Sequence, residues 1–267
     1  MTKFVVLSQI AYQEYHLLVT ALNQNGHLYT FVCLGGQGSP KKQTGKKLEI
    51  GYVIDVLALN ENKKLNKLYL KEFEIVFTPK EIRNNYNIWC ILNFILELTH
   101  RTSTEKDLNS AEWGLLKVSN AVVFDYEVLV KYIFLIEDIA KKNKNIDKNF
   151  TAHLCVFYLV KLMLIQGILP SLEQCATCVT PLMASNVAHF EGHSFHCNRC
   201  APSKTIALQY WQFLLFAKKI KFSQLINMDF SKWQVIELSL IPPMFEQNFS
   251  MLGLSKNSLR SYALISK

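Results

Sequence analysis

The chain lacks the long apolar runs that a membrane-spanning helix requires. Such a helix needs about 18 consecutive apolar residues, whereas the longest span without Asp, Glu, Lys or Arg, residues 15–40, is interrupted by the polar segment NQNGH. The first residues, MTKFVVLSQIAYQEYH, also lack the long apolar region and the small-residue cleavage site of a signal peptide. We therefore expect a cytosolic protein that has no membrane partner.

The sequence also has little that indicates enzymatic chemistry. No nucleophile paired with a base, no paired carboxylates and no open metal site can be recognised in it. The glycine-rich segment GGQGSPKKQTGKK does not contain the G-x4-G-K pattern of a phosphate-binding loop. We expect a protein that acts by binding, and the alternative is an enzyme whose catalytic residues are dispersed along the chain.

Apolar residues, in contrast, are plentiful. Half of the 267 residues are apolar and 12% are aromatic, so the chain can build hydrophobic cores and disorder is not expected. At about 150 residues per domain, this length suggests two domains.

Positive charge is concentrated at the two ends of the chain. The net charge is +8. Residues 1–80 hold ten lysines against six acids, and residues 201–267 hold eight bases against three acids, whereas residues 81–170 are balanced. Basic regions on both sides of a neutral middle favour a polyanionic partner, and nucleic acid is the usual one. The alternative is a lysine-rich surface that only faces water.

Four of the seven cysteines form two pairs with the same spacing, within the segment QCATCVTPLMASNVAHFEGHSFHCNRC. Cys175, Cys178, Cys197 and Cys200 follow the pattern C-x2-C-x18-C-x2-C, which is typical of zinc ribbons and zinc knuckles. We predict one Zn²⁺ per chain, bound by these four thiolates. Unmetallated thiols, a redox pair or an iron–sulfur cluster are the alternatives. The other three cysteines lie in apolar surroundings and are predicted to be buried: Cys33, Cys90 and Cys155.

The predicted zinc is structural, because four thiolates fill a tetrahedral ion and leave no position for water. His189 and Glu191 before a Cys pair are faintly similar to the signature of zinc deaminases. Only five residues separate Glu191 from Cys197, which is too short for the elements between the two halves of that signature. We therefore interpret His189, His193 and His196 as loop residues near the metal, one of which could replace a cysteine.

The first 80 residues have the pattern of a small β-barrel. Five runs rich in Val, Ile, Leu, Phe and Tyr alternate with turn segments, and five strands in such a short span are typical of the OB-fold. The longest connection contains four lysines and no acid, namely Lys41, Lys42, Lys46 and Lys47. We predict that these lysines contact DNA phosphates.

After Pro79 the apolar residues recur at helical intervals. Two strongly apolar helices are predicted, from about Asp125 to Lys142 and from Asn149 to Gly167. Further apolar helical segments follow the cysteines. The sequence thus predicts an α+β protein in which residues 1–80 form an OB-fold nucleic-acid-binding domain. Residues 81–267 form a helical domain that carries the zinc knuckle as an insertion at about 173–203.

Three segments resemble the DNA repair protein RecO family across nearly the whole chain. They are EYHLLVTALNQNGHLYTFVCLGG, FYLVKLMLIQGILPSLEQCATC and LGLSKNSLRSY, and the second is the most specific because helix, glycine, proline and first Cys pair fall in the family's order. The resemblance implies an N-terminal OB-fold, a helical domain and a four-cysteine zinc site. It also implies a bacterial protein of the cytoplasm that associates with the nucleoid.

The implied function is that of a recombination mediator in DNA repair, without enzymatic activity. Members of this family bind single-stranded and double-stranded DNA and anneal complementary strands. With RecR they help to load RecA onto DNA that is coated with single-strand-binding protein, whose acidic C-terminal tail they contact. The runner-up interpretation is a different zinc-ribbon nucleic-acid-binding accessory factor that acts in transcription or RNA processing.

The resemblance also suggests where that tail binds. An apolar pocket for its terminal phenylalanine, with a cation at the rim, would suit the acidic peptide. The two strongly apolar helices offer Lys131 and Lys161 beside several aromatic residues, most of which must belong to the core. We therefore predict that this pair of helices in the helical domain binds the tail.

Overall fold

The computed structural model describes residues 2–36, 48–62, 67–103, 120–142, 146–183, 187–191, 194–201, 208–225 and 259–261. The chain divides into two compact units, residues 1–137 and 138–267. In the described parts, no helix is both long enough and apolar enough to cross a membrane.

A closed five-stranded barrel forms the first part of unit 1. Its strands are β1 (Thr2–Tyr12), β2 (His16–Asn23), β3 (Leu28–Cys33), β4 (Val53–Asn62) and β5 (Lys67–Phe77). The strand order is β1-β2-β3-β5-β4, and β4 pairs with β1 to close the barrel. All neighbours are antiparallel except β3 and β5, which are parallel. The five predicted strands and a closed barrel are thus confirmed.

Alternating residues of the strands fill the barrel. Because successive side chains of a strand point to opposite faces, every second residue reaches the interior. On β2 these are Leu17, Val19 and Ala21, and on β3 they are Tyr29, Phe31 and Cys33. The ring of Phe4 meets those of Tyr29 and Phe31 edge to face, with centroids 5.5 and 6.0 Å apart. The interior is therefore a packed core and not a cavity for a ligand.

Helices follow the barrel in unit 1: α1 (Lys80–Asn84), α2 (Tyr86–Thr102) and α3 (Asn120–Lys142), the last of which continues beyond residue 137. Asn85 caps α2, since its side chain accepts a hydrogen bond from the backbone N–H of Ile88 at 3.1 Å. α2 approaches the barrel at Gly51, which has a φ of 80°, and a Cβ atom there would lie 3.0 Å from Leu92 Cδ2. Only glycine meets both requirements at this position.

A buried carboxylate joins α3 to α1. The side chain of Glu137 is 2% exposed. It accepts hydrogen bonds from the backbone N–H groups of Glu81 and Ile82, all at 3.1 Å. These N–H groups belong to the first turn of α1, and the first N–H groups of a helix have no acceptor within the helix. The carboxylate of α3 thus satisfies the start of α1 and fixes the two helices in unit 1.

Unit 2 is built around α4 (Lys148–Ile165), whose residues 151–160 are all buried. It also contains a ribbon of β6 (Val187–Glu191) and β7 (Ser194–Cys197), followed by α5 (Leu208–Lys219) and α6 (Phe222–Leu225). The rings of His153 on α4 and Phe213 on α5 are 4.9 Å apart. A helix that is apolar on all sides needs such neighbours, because no face of it can be left in water. The four cysteines lie between α4 and α5 in the sequence. The predicted boundary of the helical domain at residue 81 stays a prediction.

Candidate metal centre

The first Cys pair lies in a tight hairpin that begins after α4. At its base the N–H of Leu182 donates to the carbonyl of Glu173 at 2.8 Å. Cys175 N donates to Thr180 O and Val179 N donates to Cys175 O, both at 2.9 Å. The chain therefore reverses between Cys175 and Thr180, which brings the two thiols of the pair to one side of the turn.

The second pair starts at the end of β7. Cys197 is the last residue of that strand, and its carbonyl accepts the N–H groups of Cys200 and Ala201, each at 3.0 Å. The two turns are held against each other by a hydrogen bond from Ala176 N to Phe195 O at 2.9 Å. Two separate turns thus present four thiols to a common point.

The four sulfur atoms lie close enough together to bind one metal ion. All of them are within 4.8 Å of one another, and the sulfurs of Cys178 and Cys197 are 3.6 Å apart. Four sulfurs at about 2.3 Å from a tetrahedral Zn²⁺ would be separated by about 3.8 Å. The structure therefore confirms the predicted grouping, with each pair contributing two ligands from its own turn.

The surroundings shift the pKa values of Cys175 and Cys200 in opposite directions. Burial raises the pKa of Cys175, but the N–H groups of Cys178, Cys197 and Thr177 oppose this and the pKa falls to about 5. Contacts with the sulfurs of Cys178 and Cys197 raise the pKa of Cys200 to about 12. Deprotonation of Cys200 is thus costly next to the other sulfurs, unless a cation neutralises the cluster.

Two hydroxyl groups support this centre from outside. Thr180 Oγ1 lies 3.1 Å from Cys178 Sγ, and this contact lowers the pKa of Cys178. Thr177 Oγ1 lies 3.0 Å from Nδ1 of His196, the half-buried histidine of β7. His196 therefore has a partner beside the cysteines. It lies on β7 and His189 lies on β6, so the predicted loop placement of these two histidines is wrong, and His193 is outside the described residues.

The residue that follows Cys178 has an unusual backbone. Val179 has a φ of 59°, a left-handed conformation that β-branched residues rarely adopt, and its side chain is 63% exposed. The sequence does not predict this conformation at Val179, because turns usually have glycine or asparagine where φ is positive. Thr177 and Thr180 were likewise missed, although a hydroxyl residue within two positions of Cys178 could have indicated a polar contact near the sulfurs.

The remaining cysteines are buried, as predicted. Cys33 lies in the barrel core, and Cys90 and Cys155 lie inside helices α2 and α4. Burial raises the pKa of Cys33 to about 11 and that of Cys155 to about 12. These two thiols therefore stay protonated and unreactive near neutral pH.

The predicted partner-binding lysines differ in their surroundings. Lys131 belongs to unit 1, is 58% exposed and pairs with Glu127 at 2.8 Å. Lys161 belongs to unit 2, where its Nζ donates to the carbonyl of Lys218 at 2.9 Å and lies 5.4 Å from the ring centroid of Phe157. Of the neighbouring aromatic residues, only Phe134 is substantially exposed, and the buried ones are Tyr132, Phe157 and Tyr158. Tail binding by these helices stays a prediction.

The predicted DNA-contacting lysines, Lys41, Lys42, Lys46 and Lys47, lie outside the described residues. Comparison of the chain with protein-family models and with curated proteins finds no match.

Proposed function

We propose that this chain is a DNA-binding recombination mediator of the RecO type. In this proposal it anneals complementary single strands and, together with RecR, helps to load RecA onto DNA coated with single-strand-binding protein. The observation that supports it most is the combination of a closed five-stranded barrel with a four-cysteine cluster that lies between α4 and α5 in the sequence. The RecO resemblance of the sequence predicts both features in this order.

The barrel is proposed to be an OB-fold. The OB-fold is a five-stranded Greek-key barrel whose outer surface binds oligonucleotides and oligosaccharides. The order β1-β2-β3-β5-β4 with closure through β1 and β4, and a long first hairpin, fits this type. A barrel with a filled interior must bind its ligand on the outside, which suits an extended nucleic acid strand.

The metal is proposed to be a structural zinc ion. Cys175, Cys178, Cys197 and Cys200 are the ligands, and four thiolates are the donor set of many structural zinc sites. With all four positions taken by sulfur, the ion would not activate water. It would instead join the hairpin after α4 to the turn before α5, so that zinc binding contributes to folding of this segment.

Annealing by such a protein requires cations more than catalytic groups. Two complementary strands repel each other through their phosphates, and a basic surface that binds both strands lowers this repulsion. The excess of bases at both ends of the chain supplies the charge. We therefore propose that the protein acts by binding and not as an enzyme, with single-stranded and double-stranded DNA as partners.

The acidic tail of single-strand-binding protein is the proposed protein ligand of the helical part. Lys161 of α4 donates to the carbonyl of Lys218 on α5, and the side chain of Lys218 forms a salt bridge with Glu173 at 2.9 Å. Leu164, three residues after Lys161 on α4, is 43% exposed. An acidic peptide that ends in phenylalanine could displace Glu173 from Lys218 and place its ring against the apolar side chain. Lys161 keeps its hydrogen bond to Lys218 in this arrangement.

A strand-annealing assay tests the proposal. Complementary oligonucleotides, one of them labelled, are coated with single-strand-binding protein and mixed with the chain, and duplex formation is followed over time. The proposal expects faster duplex formation than with coated strands alone. If the chain binds nucleic acid but does not speed annealing, it is instead an accessory factor of the transcription or RNA-processing kind. Hydrolysis of nucleotide or DNA would indicate an enzyme.

A further inference from the structure

One end of the barrel holds a lysine packed against a tyrosine. Tyr12 is the last residue of β1, and Lys67 is the first residue of β5. Lys67 Nζ donates a hydrogen bond to Tyr12 Oη at 2.8 Å and lies 4.7 Å from the centroid of the ring. Both side chains are partly exposed. The hydrogen bond therefore fixes the orientation of a tyrosine ring at the surface, at the point where two hairpins of the barrel meet.

Two more tyrosines belong to the same end of the barrel. Tyr69 is two residues further along β5 and interacts electrostatically with Lys67, whose pKa is raised mainly by the hydrogen bond to Tyr12. Tyr15 is 43% exposed and lies in the turn that follows Tyr12. The acids near these residues in the chain are Glu14, in the same turn, Glu61, opposite Leu68 in the ladder of β4 and β5, and Glu72, five residues after Lys67 on β5. No acid is paired with Lys67 in any described salt bridge.

Aromatic rings combined with a cation are the groups that bind single-stranded nucleic acid. Every base has a flat face that stacks on an aromatic ring, and a lysine can contact the adjoining phosphate. The ammonium group has three N–H donors, of which Tyr12 takes one. A base inside a duplex has both faces covered by its neighbours, so only an unpaired or splayed base can use such a ring.

We propose that Tyr12, held by Lys67, stacks on an unpaired base of single-stranded DNA, with Lys67 contacting the phosphate beside it. The inference rests on the proposed DNA-binding function and adds a residue-level site to it. This site lies in described strands and uses none of the four lysines of residues 41–47. It gives the protein a contact that single strands make and duplexes do not.

Fluorescence anisotropy with the full chain tests this site. The probes are an oligothymidine, an abasic oligodeoxyribose phosphate of the same length, and a duplex. The variants are Tyr12→Leu, which removes the ring, Tyr12→Phe, which keeps the ring but loses the hydroxyl, and Lys67→Gln. Two matched controls change the same residue types elsewhere in unit 1: Tyr86→Leu at the start of α2, where Tyr86 is 69% exposed, and Lys71→Gln on β5. Thermal unfolding of each variant verifies that it is folded.

We expect Tyr12→Leu to weaken oligothymidine binding about tenfold and to leave abasic and duplex binding unchanged. Tyr12→Phe should lose an intermediate part of the oligothymidine affinity, because it keeps the ring but loses the hydroxyl that fixes it. Lys67→Gln should weaken binding of both single-stranded probes because it removes a phosphate contact. If Tyr12→Leu weakened oligothymidine and abasic binding equally, or weakened neither, the stacking site would be overturned while the DNA-binding function stands. Failure of the unmodified chain to bind any of the probes would overturn both.

Discussion

The buried carboxylate of Glu137 offers a stringent test of how unit 1 is held together. The perturbation is Glu137→Gln, which keeps the size and shape of the side chain and removes its charge. In the structure, both carboxylate oxygens accept N–H groups from Glu81 and Ile82. A glutamine oxygen in the place of Oε2 can still accept both N–H groups, but the amide nitrogen then takes the place of Oε1, 3.1 Å from Glu81 N, where two donors face each other.

The expected cost follows from these contacts. A hydrogen bond to a charged group contributes about 1.5 to 3 kcal/mol, whereas a neutral one contributes about 0.5 to 1.5 kcal/mol. In Glu137→Gln two of the three contacts become neutral and the third is replaced by a contact between two donors, so we expect a loss of about 2 to 4 kcal/mol. With a urea m-value of about 2 kcal/mol/M, the unfolding midpoint of unit 1 should fall by about 1 to 2 M.

Two measurements on the full chain assess this prediction. Urea unfolding followed by far-UV circular dichroism gives the midpoint, and hydrogen exchange with mass spectrometry reports on the amides of residues 78–85. The control is Glu127→Gln on the same helix, where Glu127 is 48% exposed and pairs with Lys131. An exposed pair contributes less than about 1 kcal/mol. If the two variants had the same stability, the buried carboxylate would not be what fixes α1 to α3.

Three further predictions concern binding. The purified protein should contain one zinc ion per chain by metal analysis. Cys175→Ser should lower its zinc content and its thermal stability, because structural zinc contributes to folding directly. Absence of zinc from protein prepared without chelators would contradict this. Changing the four lysines of residues 41–47 to alanine should weaken single-strand binding. The plot of log K against log salt should become less steep by about 0.7 for each lost phosphate contact. An unchanged slope would show that these lysines do not contact DNA. A peptide with the acidic tail of single-strand-binding protein should bind the chain in isothermal titration calorimetry, and Lys218→Gln should weaken this binding. Lys71→Gln on β5 is the control, because Lys71 is exposed and lies outside the predicted helices. Equal affinity of all three proteins would place the tail site elsewhere.

Local sequence patterns were sufficient to predict the barrel strands and the grouping of the four cysteines. The β-strands alternate apolar and polar residues because each has one face in the core, as Leu17, Val19 and Ala21 show on β2. The cysteine spacing is equally informative, since a C-x2-C turn needs only local chain geometry to bring two sulfurs together. The helix α4 was predictable for the same reason, because a helix that is buried on all sides consists mostly of apolar residues.

Contacts between distant residues were not predictable in this way. Glu137 is surrounded in the sequence by a helix of mixed polarity, where a glutamate normally faces water, and its partners are 55 and 56 residues away. Lys67 and Tyr12 are also 55 residues apart, and neither residue type indicates the other. Arg83, which lies over the rings of Tyr52 and Trp89 and forms a salt bridge with Glu49, is a third such case. Only the folded chain brings these groups together.

The most direct test of the proposed function is annealing of coated strands with two forms of single-strand-binding protein. Complementary oligonucleotides are coated either with the intact protein or with a form that lacks the acidic C-terminal tail, and the rate of duplex formation is measured with and without the chain. A recombination mediator that contacts the tail should speed annealing of strands coated with the intact protein, and deletion of the tail should remove most of this effect. No acceleration on either kind of coated strand would contradict the account.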